Sequence, residues 1–161
     1  MKVIRMPQHD EIMDTGEVVE DFCSTMGHQF RFAFSVTGLV GGEPYTFKKD
    51  IDTNCGTLST SWTLEFTFKQ APGSSIASCA ITAKRTDSMN TTVKTNIEMS
   101  YSYLEYPCHE LQQLYTNEYE PGQEVQEFCE DILPFPEESE MYLAGGITVG
   151  VRLYVKCCER K

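Results

Sequence analysis

The residues best able to do chemistry in this 161-residue chain are seven cysteines (Cys23, Cys55, Cys79, Cys108, Cys129, Cys157, Cys158) and three histidines (His9, His28, His109). A nucleophilic site needs a thiol or hydroxyl beside a base, a hydrolytic one needs paired carboxylates in a cleft, and a zinc site needs ligands that converge on one ion. Cys108 and His109 are the only Cys/His neighbours, and adjacent residues of an extended or turn segment point apart, which does not suit a thiolate–imidazole pair. There is no C-x-x-C pair, no H-E-x-x-H, and the cysteine total is odd, so neither a disulfide framework nor a metal centre is expected. Gly41-Gly42 and Gly145-Gly146 lack the strand-to-helix context of a phosphate cradle and read as turns. These residues predict a protein that is not an enzyme and carries no cofactor or metal, with reduced thiols in a cytoplasmic or nuclear setting.

The elements that must position these residues are strands. Apolar and polar residues alternate through Phe30–Val36, Trp62–Phe68, Ala77–Ala83, Thr95–Tyr103 and, most clearly, Ile147–Val155. A period of two sets one face of a sheet in a core and the other in water, and continuous apolar runs separated by helices are missing. The fold class is therefore all-β, an antiparallel β-sandwich of about seven or eight strands, with a further strand expected over 45–49. Trp62 falls in phase with Leu64, Phe66 and Phe68, which assigns it to the core. Turn-forming clusters at 41–44, 52–56, 71–74, 87–90 and 145–146 punctuate the strands.

Residues 1–26 are polar and acidic and read as a flexible arm, with one short strand near Val18 and Val19; residues 27–161 form a single domain. The segment 104–140 departs from alternation, and its prolines break it into pieces. Within it, Cys108–Tyr115 and Glu124–Ile132 are each expected to form one or two helical turns of a long surface connection. A chain of this length buries roughly two-thirds of its unfolded surface, so its core suffices for folding without disulfide or metal.

The net charge is −11, and between Glu110 and Gly150 ten carboxylates occur without a single Lys or Arg. Such a surface repels phosphate, which argues against nucleic acid and anionic membranes as partners. No apolar segment near the N-terminus is long enough for a signal peptide or a membrane span.

The order of pieces resembles the MATH domain, the meprin and TRAF homology sandwich. It begins with Phe34–Leu39, passes through a polar hairpin, Trp62–Phe66, Val93–Tyr103 and Glu124–Leu133, and closes on the Val-rich strand 147–155. The resemblance covers about residues 28–157, with Val125–Leu133 similar to the family's short helix before the last strand. The family's first-strand tryptophan is absent; Ser35 or Val36 stands in its place. The resemblance implies a reader of extended peptides, as in the substrate-recognition domains of ubiquitin-ligase adaptors or in TRAF-like signalling proteins. By that resemblance Tyr115 corresponds to a groove aromatic, and Gln123-Glu124-Val125 replaces an aromatic-Gly-aromatic segment. The peptide-binding candidates are the solvent-facing row Lys94, Asn96, Glu98 and Ser100 together with Tyr115, Tyr119 and Val125. The expected partner is a protein or peptide segment, basic or Ser/Thr-rich, drawn by the carboxylates around 118–131. The other reading is a structural sandwich that self-assembles through its edge strands.

Overall fold

The structure is a computed structural model and describes residues 18–23, 27–39, 43–70, 76–103, 106–133, 143 and 145–157, with the backbone alone at 20–23 and 106–110. Among them the chain forms nine strands. These are β1 (Val19–Cys23), β2 (His28–Val36), β3 (Tyr45–Asp52), β4 (Ser61–Gln70), β5 (Ala77–Arg85), β6 (Val93–Tyr103), β7 (Tyr106–Tyr119), β8 (Glu124–Cys129) and β9 (Ile147–Lys156). Every pairing is antiparallel, in a five-stranded sheet ordered β1-β2-β9-β6-β7 and a four-stranded sheet ordered β3-β4-β5-β8. The all-β sandwich expected from the period-two pattern is the observed architecture. No helix among the described residues is long and apolar enough to cross a membrane.

The in-phase residues of β2, β4, β5, β6 and β9 meet between the sheets as one buried core. Near β2, β3 and β4 that core is aromatic. Phe34 stacks on Phe47 with ring centroids 4.1 Å apart and 9° between planes, and it meets Phe66 and Phe68 at 5.5 and 5.9 Å. Offset and tilted pairs of this kind add to the area term because the positive ring edge meets a negative face. Trp62 is buried as expected: its Nε1 donates to Thr60 Oγ1 at 2.8 Å, and its ring meets Tyr119 edge-on at 4.9 Å.

The short strand expected near Val18 and Val19 is β1, which pairs along β2 from Val19↔Arg31 to Cys23↔His28; residues 1–17 and 24–26 lie outside the described residues. One expectation is corrected. The helical turns expected at Cys108–Tyr115 and Glu124–Ile132 are not formed: the first segment is strand throughout, and the second is strand as far as Cys129. β7 runs for 14 residues along β6, and β8 lies along β5. The period of two is present in β7, but its inward positions Gln113 and Asn117 are polar, so hydropathy does not display it.

Candidate functional site

β7 and β8 are consecutive strands at the margins of opposite sheets, and four residues join them. Gln123 N–H donates to Glu120 C=O at 3.0 Å, and Gly122 has φ +81°, which with Pro121 before it is the chemistry of a type II turn. The chain thus steps from one sheet to the other, and its two strands line one open side of the sandwich.

The inward row of β7 is Leu111, Gln113, Tyr115, Asn117 and Tyr119, of which the first four are half-buried. From β8 come Val125 and Glu127, also half-buried, and the buried Cys129. Asn117 Nδ2 donates to Glu127 Oε2 at 2.8 Å, which ties the two strands across the seam. The Tyr115 hydroxyl lies 3.4 Å from Gln113 Oε1 and is pushed up to about 12, first by burial and then by Cys129, Cys79 and Glu127 nearby. Behind this row burial pushes the Cys79 thiol up to about 12, against the pull of the adjacent Tyr101 hydroxyl, which itself has no hydrogen bond of good geometry. Burial likewise raises Cys129, against a bond from its Sγ to Asp131 C=O at 3.5 Å. Both thiols are protonated at neutral pH, and a protonated thiol is a poor nucleophile.

The ladder also fixes which backbone groups of β8 are in use. Arg85 N–H donates to Gln123 C=O at 3.0 Å, and the register continues through Lys84↔Glu124 to Cys79↔Cys129. Bonded pairs recur at every second residue of an antiparallel ladder, so 125, 127 and 129 bond to β5. Glu124, Gln126 and Phe128 direct their N–H and C=O groups away from it, to an edge that no strand covers among the described residues. Phe128, on the outer face, is 60% exposed, and Leu114 on β7 is 65% exposed.

The residues predicted to form one groove are divided by the fold. Tyr115 and Val125 both lie half-buried on the inward rows of the two seam strands. Lys94, Asn96, Glu98 and Ser100 project from the opposite face of the five-stranded sheet, because Asn96 is registered with Thr116 and not with Tyr115. There Asn96 and Glu98 line a shallow concavity of about 300 Å³ with Gln29, Leu114, Arg152 and Tyr154, while Glu98 faces Arg152 and Lys94 faces Glu118, each at 3.6 Å. Tyr119 is corrected outright: at 1% exposure it packs on Trp62 and belongs to the core. Sequence reasoning missed Gln113, Asn117 and Glu127, which alternate in burial with their neighbours but are polar and so leave no apolar period to read.

It also missed Arg85, wholly buried at the end of β5. The Arg85 guanidinium donates to the Asp87 carboxylate, to the carbonyls of Tyr119 and Met89 at 3.0 Å each, and to the Thr91 carbonyl, so all five of its N–H groups are used. Burial would raise the Asp87 carboxyl, but bonds from Arg85 and from the N–H groups of Ser61 and Met89 outweigh it and hold Asp87 below the ordinary range. This network clamps the end of β7 to the turn between β5 and β6.

The expectation of no metal cluster rested on spacing along the chain, and folding brings together three ligands that the sequence keeps apart, His28, Cys55 and Cys157. They lie away from the seam, where β2 begins and β9 ends.

No family model matches the chain, and no curated protein matches it.

Proposed function

We propose that the β7–β8 side is a peptide-binding edge, at which an extended segment of a partner protein pairs with β8 and seats alternate side chains along Gln113, Tyr115 and Val125. The observation that carries this reading is the outward backbone of Glu124, Gln126 and Phe128 beside a half-buried polar row. Main-chain pairing supplies affinity at such an edge, and alternate pockets supply specificity. Glu118, Glu120, Glu124 and Glu130 are exposed around it, so the favoured ligand carries Lys or Arg beside Ser/Thr. The resemblance to MATH domains supports the same use and extends it to an adaptor of the ubiquitin pathway or a TRAF-like signalling protein.

Gln126→Pro against Val125→Pro tests the reading. Proline at 126 deletes an outward N–H and spares the ladder, whereas proline at 125 deletes a ladder bond. A library of Lys/Arg-containing Ser/Thr peptides should bind wild type in the micromolar range, as small transient interfaces do, and Gln126→Pro should abolish binding while melting within about 5 °C of wild type. Undiminished binding by a folded Gln126→Pro chain overturns strand addition. A concentration-dependent dimer that Gln126→Pro dissolves, with no peptide bound by wild type, would instead assign the edge to self-assembly.

A further inference from the structure

A cluster at the β2–β9 end brings together three side chains of types that could hold a metal ion. The ligand atoms of His28, Cys55 and Cys157 all lie within 4.8 Å of one another, and all three residues are buried. Tetrahedral zinc with bonds of about 2.0–2.3 Å holds its ligand atoms roughly 3.5–3.8 Å apart, so sub-ångström shifts of each side chain close the distance.

Three local features bring these residues together. His28 is registered opposite Val155, and Cys157 follows two residues later, where its N–H bonds back to Val155 C=O at 3.1 Å and turns the chain. Gly27 lets the two strands approach: a Cβ there would stand 2.3 Å from Val155 O and 3.1 Å from Lys156 Cα. Cys55 arrives from the loop between β3 and β4. Thr53 and Thr60 close that loop, with Thr53 N–H to Thr60 C=O and Thr60 N–H to Thr53 Oγ1 at 2.9 Å each. Asn54, at φ +52°, is the one non-glycine residue in the left-handed region among the described residues, a conformation Asn tolerates better than most. That reversal directs Cys55 inward to 6% exposure in a loop whose other residues from 54 to 59 are exposed or half-buried.

We infer that His28, Cys55 and Cys157 bind one zinc ion, as a structural centre that fastens the β3–β4 loop to the junction of β2 and β9. Thiolate and imidazole are the ligands that borderline-soft zinc prefers over calcium or magnesium. Charge favours it as well. Binding replaces the protons of two thiols, which leave to solvent, and Zn²⁺ with two thiolates and a neutral imidazole carries no net charge, so burying the assembly avoids the penalty of an isolated ion. The three side chains fill all but one of the four positions zinc uses. Neither Cys55 nor Cys157 is in a disulfide.

Cobalt(II), which reports thiolate ligation through its near-ultraviolet charge transfer and tetrahedral coordination through its visible bands, tests the site in the full chain. Titration of metal-free wild type should saturate at one equivalent with both signatures and release about two protons per ion, and zinc should displace the cobalt. Cys55→Ser and Cys157→Ser should each lose most of the charge-transfer band, whereas Cys79→Ser, a buried thiol elsewhere in the core, should bind as wild type. If the first two variants do not fold, the wild-type titration and its proton count decide. A wild-type chain that yields neither signature, or a charge-transfer band that survives in both folded variants or disappears in Cys79→Ser, overturns the assignment.

Discussion

The two sides of this sandwich are built to different rules. Where β2, β3 and β4 meet, the facing side chains are Phe32, Phe34, Phe47, Phe66 and Phe68, ring against ring. At the β7–β8 side the corresponding positions are Gln113, Tyr115, Asn117 and Glu127, with Tyr115 against Gln113 along β7 and Asn117 bonded to Glu127 across the strands. The first side is held by apolar area and dispersion, which act without regard to direction. The second keeps polar groups half in water, where each must find a partner or remain wet. A side of the latter kind contributes less to stability and leaves groups to offer a ligand. The difference separates the side that holds the domain together from the side at which we propose a peptide binds.

The largest test falls on the packed region. Phe34→Ala or Trp62→Ala should destabilise by about 3–5 kcal/mol, since each leaves a large cavity in an aromatic core. Chemical denaturation measures this directly, and a loss below about 1 kcal/mol for Phe34→Ala would erase the contrast. Arg85→Met comes next, at about 3 kcal/mol, because it removes a wholly buried guanidinium and strips the half-buried Asp87 carboxylate and three carbonyls of their donor. The same network sets an acid limb. Asp87 has its folded value depressed, so its contribution is complete above the ordinary carboxylate range near pH 4 and is lost as pH falls through the lower folded value. Wild type should therefore lose stability more steeply than Arg85→Met as the pH is lowered below about 4 in parallel melts.

On the seam, Asn117→Leu should cost only about 1 kcal/mol, the worth of one partly solvated hydrogen bond, yet weaken peptide binding by more than its effect on folding would suggest. Equal damage to both would place Asn117 with the structural side. Smaller still is the stability effect of reversing Glu118, Glu120 and Glu124 to Lys together. These carboxylates are exposed, and surface pairs such as Lys94–Glu118 are worth about 0–1 kcal/mol. Affinity for a basic peptide should nevertheless fall severalfold in low salt and converge with wild type as salt is raised. If affinity in low salt is unchanged, the acidic surface serves solubility alone.

Legibility in the sequence follows the same division. β2, β4, β5, β6 and β9 could be read because a strand between two neighbours with one face in a core must alternate in hydropathy, and theirs does so almost without fault. β7 and β8 could not, because an edge strand that faces half into water alternates in burial without alternating in polarity. Their polar inward residues and the neighbouring prolines mimicked an irregular connection. The candidate site suffered for that reason. Tyr115 and Val125 lie on the inward rows of the seam strands, Tyr119 lies in the core, and the row Lys94, Asn96, Glu98 and Ser100 stands on the other face of its sheet.

What the sequence by itself determined is the fold class, the strands of the core and the burial of Trp62, all consequences of local periodicity that a strand's geometry imposes residue by residue. Only the tertiary structure decided which edges lie side by side, that Arg85 is buried beneath the end of β7, and that His28, Cys55 and Cys157 meet. Those facts depend on pairings between residues tens of positions apart, set by sheet order and register, and spacing along a chain carries no record of distances across a sandwich.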